Sequence, residues 1–278
     1  MSQALRIGFI GLGSIGKPMA ERLSTSGHSL TIWARRPEVL ESFGLEVQRA
    51  QTPLILAGQC DVIGLCVFDD VAVEEVLFGN DGLIDGLAPG AIVMIHSTVP
   101  PAFVEGLALR AKASGVHILD APISGGPDSA SRGELTIMLG GDVDVIESIR
   151  PILEHMGSTI IRLGGHGAGQ RTKLMNNTLL TAQLALAASL VEVASQLEID
   201  QGALLQAIST SSGRSFAIEM FRNGVSAESM ASSAGHRALA KDVNILRSII
   251  ENDELLLDVA EIFTQAMDVV DDSRVNNL

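Results

Sequence analysis

The chain has no tyrosine, one tryptophan and two cysteines, and aromatic residues fill only 3% of its 278 positions. So few aromatics exclude a surface that grips nucleic acid by stacking bases on aromatic platforms. Cationic residues are scarce as well: 19 Lys and Arg stand against 33 Asp and Glu, a formal net charge of −14. A chain of that sign repels polyanions, so neither nucleic acid nor an anionic membrane surface is expected as a partner. An anionic ligand must then be met by cations placed locally.

The two cysteines flank the segment "CDVIGLCV" as Cys60 and Cys66. If that segment is extended they lie roughly 20 Å apart, beyond disulfide reach. Both read as buried thiols of a reducing compartment. No charged-then-apolar leader precedes the first apolar run. The longest apolar candidate for a membrane span, 179–193, is interrupted by Thr181, Gln183, Ser189 and Glu192, so no span is expected. Nor do the six histidines pair at i, i+3 or i, i+4; no metal is expected. These absences together predict a soluble, cytoplasmic protein.

What is present is apolar: hydrophobic residues make up 46% of the chain, enough for a sizeable core. Apolar runs at 5–10, 29–34, 61–67, 91–97 and 116–122 are rich in Ile, Val and Leu and mostly lack polar alternation. Strands covered on both faces look like this. Helical spacing between them, at 15–27 and 71–78, predicts a parallel sheet with crossover helices. Runs at 135–141 and 159–165 extend the sheet, and the helix between them, 143–155, is expected to kink or split at Pro151. After Gly169 the texture changes. No Gly or Pro occurs to about 199, which predicts one helix of about thirty residues. Further helices are expected at 201–209, 215–222, 236–251 and 255–270. Four glycines within 164–169 mark the boundary. The expected architecture is α/β: a doubly wound, mostly parallel sheet at 1–165, then an all-helical domain at 166–278 with a long helix leading into it.

The stretch "IGLGSIGK" carries Gly11, Gly13 and Gly16 directly after the first strand and opens a helix. The bare pattern is weak, because any turn needing positive φ can match it. In this context Gly11 makes the turn, Gly13 lets a pyrophosphate approach, and Gly16 allows close helix–strand packing, with the helix N-terminus facing the phosphates. Residues Gly11, Leu12, Gly13, Ser14, Ile15 and Gly16 form the candidate cradle of a Rossmann-type dinucleotide site. After the second strand the chain reads Ala34, Arg35, Arg36. An acid there would hold a ribose 2′-hydroxyl; two cations suit a 2′-phosphate. This favours NADP, with NAD as the alternative. Trp33 is expected in the core.

Three more stretches follow in order: "DAPISGG" (120–126) with "GELTIMLGG" behind it, "GAGQRTKLMNN" (167–177), and "KD" at Lys241 and Asp242. Together with "GFIGLGSIGKPMA", they resemble the β-hydroxyacid dehydrogenase family over nearly the whole chain. The resemblance implies an NADP-dependent oxidoreductase that interconverts a small 3-hydroxy acid and its semialdehyde or keto acid. It assigns proton transfer to Lys173 and substrate holding to Asn177, which share one helix face at i, i+4. It implies that Ser124, Gly125 and Gly126 grip the substrate carboxylate, that Val67, Phe68 and Thr98 touch the cofactor, and that Lys241 closes on cofactor or substrate. Read alone, Lys173 and Lys241 would be solvated surface charges and "ISGG" a plain turn. One departure is visible: the slot about seven residues before the "KD" lysine, usually aromatic in the family, holds Ala234, and His236 behind it offers a polar contact instead. Rival readings are an imine reductase, against which Lys173 speaks, and a catalytically silent NADP-binding sensor. The apolar belt Leu179, Leu184, Leu186, Leu190 and Val193 on the long helix predicts a homodimer or homotetramer through the helical domain.

Overall fold

The computed structural model describes residues 5–231, 233–251 and 255–275. The chain divides into two compact units, Met1–Lys173 and Leu174–Leu278. The first unit opens with β1 (Arg6–Ile10), α1 (Gly16–Ser24), β2 (Ser29–Trp33), β3 (Gln48–Arg49), α2 (Pro53–Ala57), β4 (Val62–Leu65), α3 (Asp70–Phe78), β5 (Ile92–Ile95), α4 (Pro101–Lys112) and β6 (His117–Asp120). It continues through β7 (Ile123–Ser124), α5 (Gly126–Arg132), β8 (Thr136–Gly140), α6 (Val143–Ser148), α7 (Arg150–Met156) and β9 (Thr159–Gly164) into α8 (Ala168–Gln196).

The strands form one sheet in the order β3-β2-β1-β4-β5-β6-β8-β7, with β9 on β8. From β3 to β6 all pairings are parallel; β8 runs antiparallel to β6 and β7 and parallel to β9. Alternate residues of each central strand feed opposite cores. Ile7, Phe9, Ile92 and Met94 point to one, Ile63, Leu65, Val93 and Ile95 to the other. Burial on both faces explains why the sequence shows apolar runs rather than alternation. From β1 the chain winds outward through β2 and β3, then returns to β4 on the other side. That reversal leaves a crevice at the carboxyl ends of β1 and β4, where open α/β sheets take ligands.

Pro151 divides the expected helix into α6 and α7 and stands in the first turn of α7, where its missing N–H costs nothing. The expected boundary after 165 falls between β9 and α8, yet the first unit runs on to Lys173. The reason is hydrogen bonding: the first turn of α8 is fastened to the sheet (below).

In the second unit α8 is followed by α9 (Gln201–Ser209), α10 (Phe216–Arg222), α11 (Ala227–Ala231), α12 (Ala234–Ile249) and α13 (Leu255–Val275). Leu184, Ala187, Leu205, Phe221 and Phe263 share one core, Leu174, Ala182, Val243 and Leu257 another. Arg247 pairs with Asp258 and Glu261 to tie α12 to α13. The 29-residue α8 holds an 18-residue window with a mean hydropathy of 1.5, long and apolar enough to cross a membrane by length and composition. This corrects the expectation that no run reaches that length: the scattered Thr, Gln and Ser interrupt the run without lowering its average far. Within the belt, Leu184 is fully buried, whereas Leu186 is 63% exposed.

His96 follows β5 and is fully buried. Its Nδ1 lies 2.9 Å from the Ala121 carbonyl oxygen, and its ring stacks on Phe9 at 6.0 Å. A carbonyl can only accept, so Nδ1 carries the proton, and Nε2 is buried without a partner. A second proton would sit there uncompensated; burial therefore lowers His96 to about 4. Unfolded histidine titrates near 6.5, so below that pH the unfolded chain binds a proton that the folded chain refuses. Stability is lost as pH falls from about 6.5 towards 4, by ~3 kcal/mol in full. Denaturant midpoints measured at pH 7 and pH 4.5 should drop less in His96→Gln than in the native chain; an equal drop contradicts this account.

Candidate functional site

The loop after β1 builds the first wall of a groove of ≈ 600 Å³. α1 begins behind Ile15, which has no polar side chain to cap it, and no acid stands in its first turn. No side chain caps its first turn, in which the Lys17 N–H donates to the Gly13 carbonyl at 3.0 Å and Pro18 has no N–H. Gly16 packs against this loop so closely that a Cβ would lie 1.9 Å from the Gly11 carbonyl oxygen, whereas a Cβ on Gly13 would meet nothing within 4 Å. The backbone at Gly13 is thus open to a ligand. Gly11, Leu12 and Gly13 line the groove together with Arg35, Arg36, Val67 and Phe68. Ser14 and Ile15 continue the loop into α1 without lining it. Trp33, expected in the core, is half-buried and lines the groove, its Nε1 donating to the Gln51 carbonyl. Cys66, expected buried, is half-buried there as well.

Arg35 and Arg36 stand just past the end of β2, both exposed. Glu75 of α3 reaches to 4.0 Å from Arg35 across the same groove. This carboxylate was missed in the sequence because it lies forty residues away, in the crossover helix after β4.

A second cluster lies at the carboxyl ends of β4, β5 and β6. Asp120 ends β6, is fully buried, and accepts from the N–H groups of Gly167 at 3.0 Å and Gln170 at 3.2 Å. Burial pushes its carboxyl above the ordinary value, and the N–H donors of the α8 turn pull against that shift. Gln170 is fully buried too. Its Nε2 donates to the Ser97 carbonyl at 2.9 Å and its Oε1 accepts from the Val99 N–H at 3.1 Å, one bond on either side of Thr98. The Ser97 hydroxyl accepts from the Val67 N–H at 2.9 Å. Val67, Thr98 and the first turn of α8 are thereby joined in one network. Lys173, at the end of this unit, is only 9% exposed, not a solvated charge. Ser124 pairs with Thr136 in β7–β8, and Gly125 and Gly126 follow it with φ of 136° and 73°.

In the second unit Asn177, one helical turn beyond Lys173, is 8% exposed. Its Nδ2 donates to the Asp242 Oδ2 at 2.6 Å, and its Oδ1 accepts from Asn176 at 3.1 Å. Asp242, itself buried, also holds the Lys241 Nζ at 3.0 Å. The sequence reading gave Asn177 and Lys241 separate roles; Asp242 couples them. His236 is buried and makes its polar contact with Asp268 of α13, at 2.9 Å. Among the described residues no His, Cys, Asp and Glu cluster could hold a metal.

Residues 6–165 match the NAD binding domain of 6-phosphogluconate dehydrogenase, and residues 167–276 match the family described as NAD-binding of NADP-dependent 3-hydroxyisobutyrate dehydrogenase. The chain is 35% identical over 221 residues to an L-threonate dehydrogenase of Cupriavidus necator, covering 79% of this chain and 73% of that one. It is 33% identical over 204 residues to a 2-hydroxy-3-oxopropionate reductase of Escherichia coli, covering 73% and 70%. A solved structure, Psf3 in complex with NADP+ and 2-OPP, superposes with a TM-score of 0.85 at 25% identity, over 96% of this chain and 94% of its own.

The contrast between Gly13 and Gly16 gives a test of the cradle. Gly13→Ala should keep the thermal midpoint within about 2 °C while weakening dinucleotide binding about tenfold or more, some 1.4 kcal/mol. Gly16→Ala should lose the midpoint as well. Unchanged affinity in Gly13→Ala, measured by fluorescence titration, contradicts the assignment.

Proposed function

The chain belongs to the β-hydroxyacid dehydrogenase family, and from that membership we propose an enzyme that prefers NADP and interconverts a small 3-hydroxy acid with its semialdehyde or keto acid. The observation that carries this reading is the burial of Lys173. An ammonium 9% exposed at the turn of α8 that is bonded to the sheet's carboxyl edge is not placed for solubility. A lysine side chain held at a reacting alcohol can give or take its proton.

The groove fits a dinucleotide. Open backbone at Gly13 and the uncapped start of α1 suit a pyrophosphate, and Arg35 and Arg36 suit a 2′-phosphate. A nicotinamide held in this groove would supply hydride-transfer chemistry between a carbinol carbon and a carbonyl carbon. In the reductive direction Lys173 gives its proton to the carbonyl oxygen as the alcohol forms; in the oxidative direction it takes that proton back. Ser124 and the N–H groups at Gly125 and Gly126 hold the substrate carboxylate, and Asn177 orients the substrate. Val67, Phe68 and Thr98 contact the cofactor, and Lys241 closes on cofactor or substrate.

A second copy of the chain is the partner proposed for α8. Met175, Leu179, Leu186 and Val193, with Leu197 just past the helix end, recur at spacings of four and seven and are each 45–65% exposed, one apolar stripe.

Two variants test the reading. Lys173→Ala should lower kcat at least about a hundredfold, with NADP affinity held within a factor of about three; near-normal turnover removes the lysine from the chemistry. Replacing Arg35 and Arg36 by Ser and Gln should weaken NADP much more than NAD. Equal weakening of both refutes the phosphate contact.

A further inference from the structure

We propose that Gln170 is a positioning residue: its side-chain amide fixes the α8 turn that carries Lys173 against the Thr98 loop, and so sets the reach of the amine. The inference rests on the reading of Lys173 as the proton-transfer group. Gln170 itself has no room to touch a ligand, being fully buried.

Three bonds define the device. The Gln170 backbone N–H goes to Asp120 at the end of β6, its Nε2 to the Ser97 carbonyl, and its Oε1 takes the Val99 N–H. The two side-chain bonds straddle Thr98 as a neighbouring strand would, satisfying backbone groups that the end of the sheet leaves without a ladder. Burying a carboxamide is unfavourable unless both ends are bonded. A core position needing only volume would take Leu or Met. The amide is therefore explained by register. Lys173 stands three residues on, nearly one turn, so any slip of this turn along the sheet edge moves the amine relative to Thr98. Ser97 extends the same register to the β4 edge through the Val67 N–H. Proton transfer tolerates little misplacement: an error of about 1 Å can cost ~100-fold in rate.

Gln170→Met and Gln170→Glu test the proposal, with NADPH consumption followed at 340 nm against a panel of small semialdehyde and keto acids. Gln170→Met keeps the volume and loses both side-chain bonds. Its kcat should fall about thirtyfold or more, with NADPH affinity within a factor of about three. Transfer from C4-deuterated NADPH should show a larger isotope effect than in the native chain. A lowered thermal midpoint with native kcat means that the amide is structural only, and overturns the proposal. In Gln170→Glu a protonated carboxyl can donate to the Ser97 carbonyl and accept from the Val99 N–H, whereas a carboxylate opposes that carbonyl. The variant-to-native ratio of kcat should rise about tenfold between pH 8 and pH 5.5, following protonation of the buried acid. A flat ratio overturns the proposal, and this arm decides if the Met variant does not fold. Lys173→Ala, assayed alongside, separates the two claims. Native turnover there, or no turnover of any panel member by the native chain, overturns the reading and the inference with it. Loss in Lys173→Ala beside native kcat in Gln170→Met overturns the inference alone.

Discussion

A buried carboxylate must find hydrogen-bond donors or it destabilises the fold, and Asp120 finds them in the first turn of α8. Helix N-termini carry N–H groups with no partner inside the helix, and the helix dipole favours a negative charge there. One interaction therefore serves two needs, and it fixes where the longest helix of the chain begins. The chain makes room for it. At Gly169 a Cβ would lie 2.4 Å from the Met138 carbonyl oxygen and 2.8 Å from the Asp120 carboxylate. A side chain at that position would push the helix off the sheet.

Function follows from where this anchor lies. It sits at the carboxyl edge of the parallel strands, the edge where the connections leaving β1 and β4 part and where the glycine loop opens. The amine proposed for proton transfer is one turn along the anchored helix. In a chain of net charge −14, few cations stand in these places: Arg35 and Arg36 at the groove, Lys173 on the anchored turn, and Lys241 held by Asp242 in the second unit.

Much of this was legible in the sequence because it depends on local signals. Apolar runs marked the seven longer strands, the glycine loop marked the helix start, and Pro151 marked the division between α6 and α7. The two-residue strands β3 and β7 and the short α11 were not legible, since two to five residues carry no period. Nor was the antiparallel turn of β8, which is set by pairing rather than by its own composition. The site divided in the same way. Motifs named Lys173, Asn177 and the glycines, but the groups that hold them were silent. Gln170 reaches Ser97 across 73 residues of chain and Asn177 reaches Asp242 across 65; no spacing rule spans such distances. On α8 the apolar belt was visible, but its split into a buried Leu184 and an exposed Leu186 required the packing.

The central claim is that this chain moves a hydride between a nicotinamide and the carbinol carbon of a small carboxylic acid. The most direct measurement is mass spectrometry of the hydroxy acid formed from NADPH deuterated at C4 and a panel of small semialdehyde acids. The account predicts one deuterium, located by NMR on the new carbinol carbon. A chain that binds NADPH but returns it with its deuterium intact, for every acid in the panel, contradicts it.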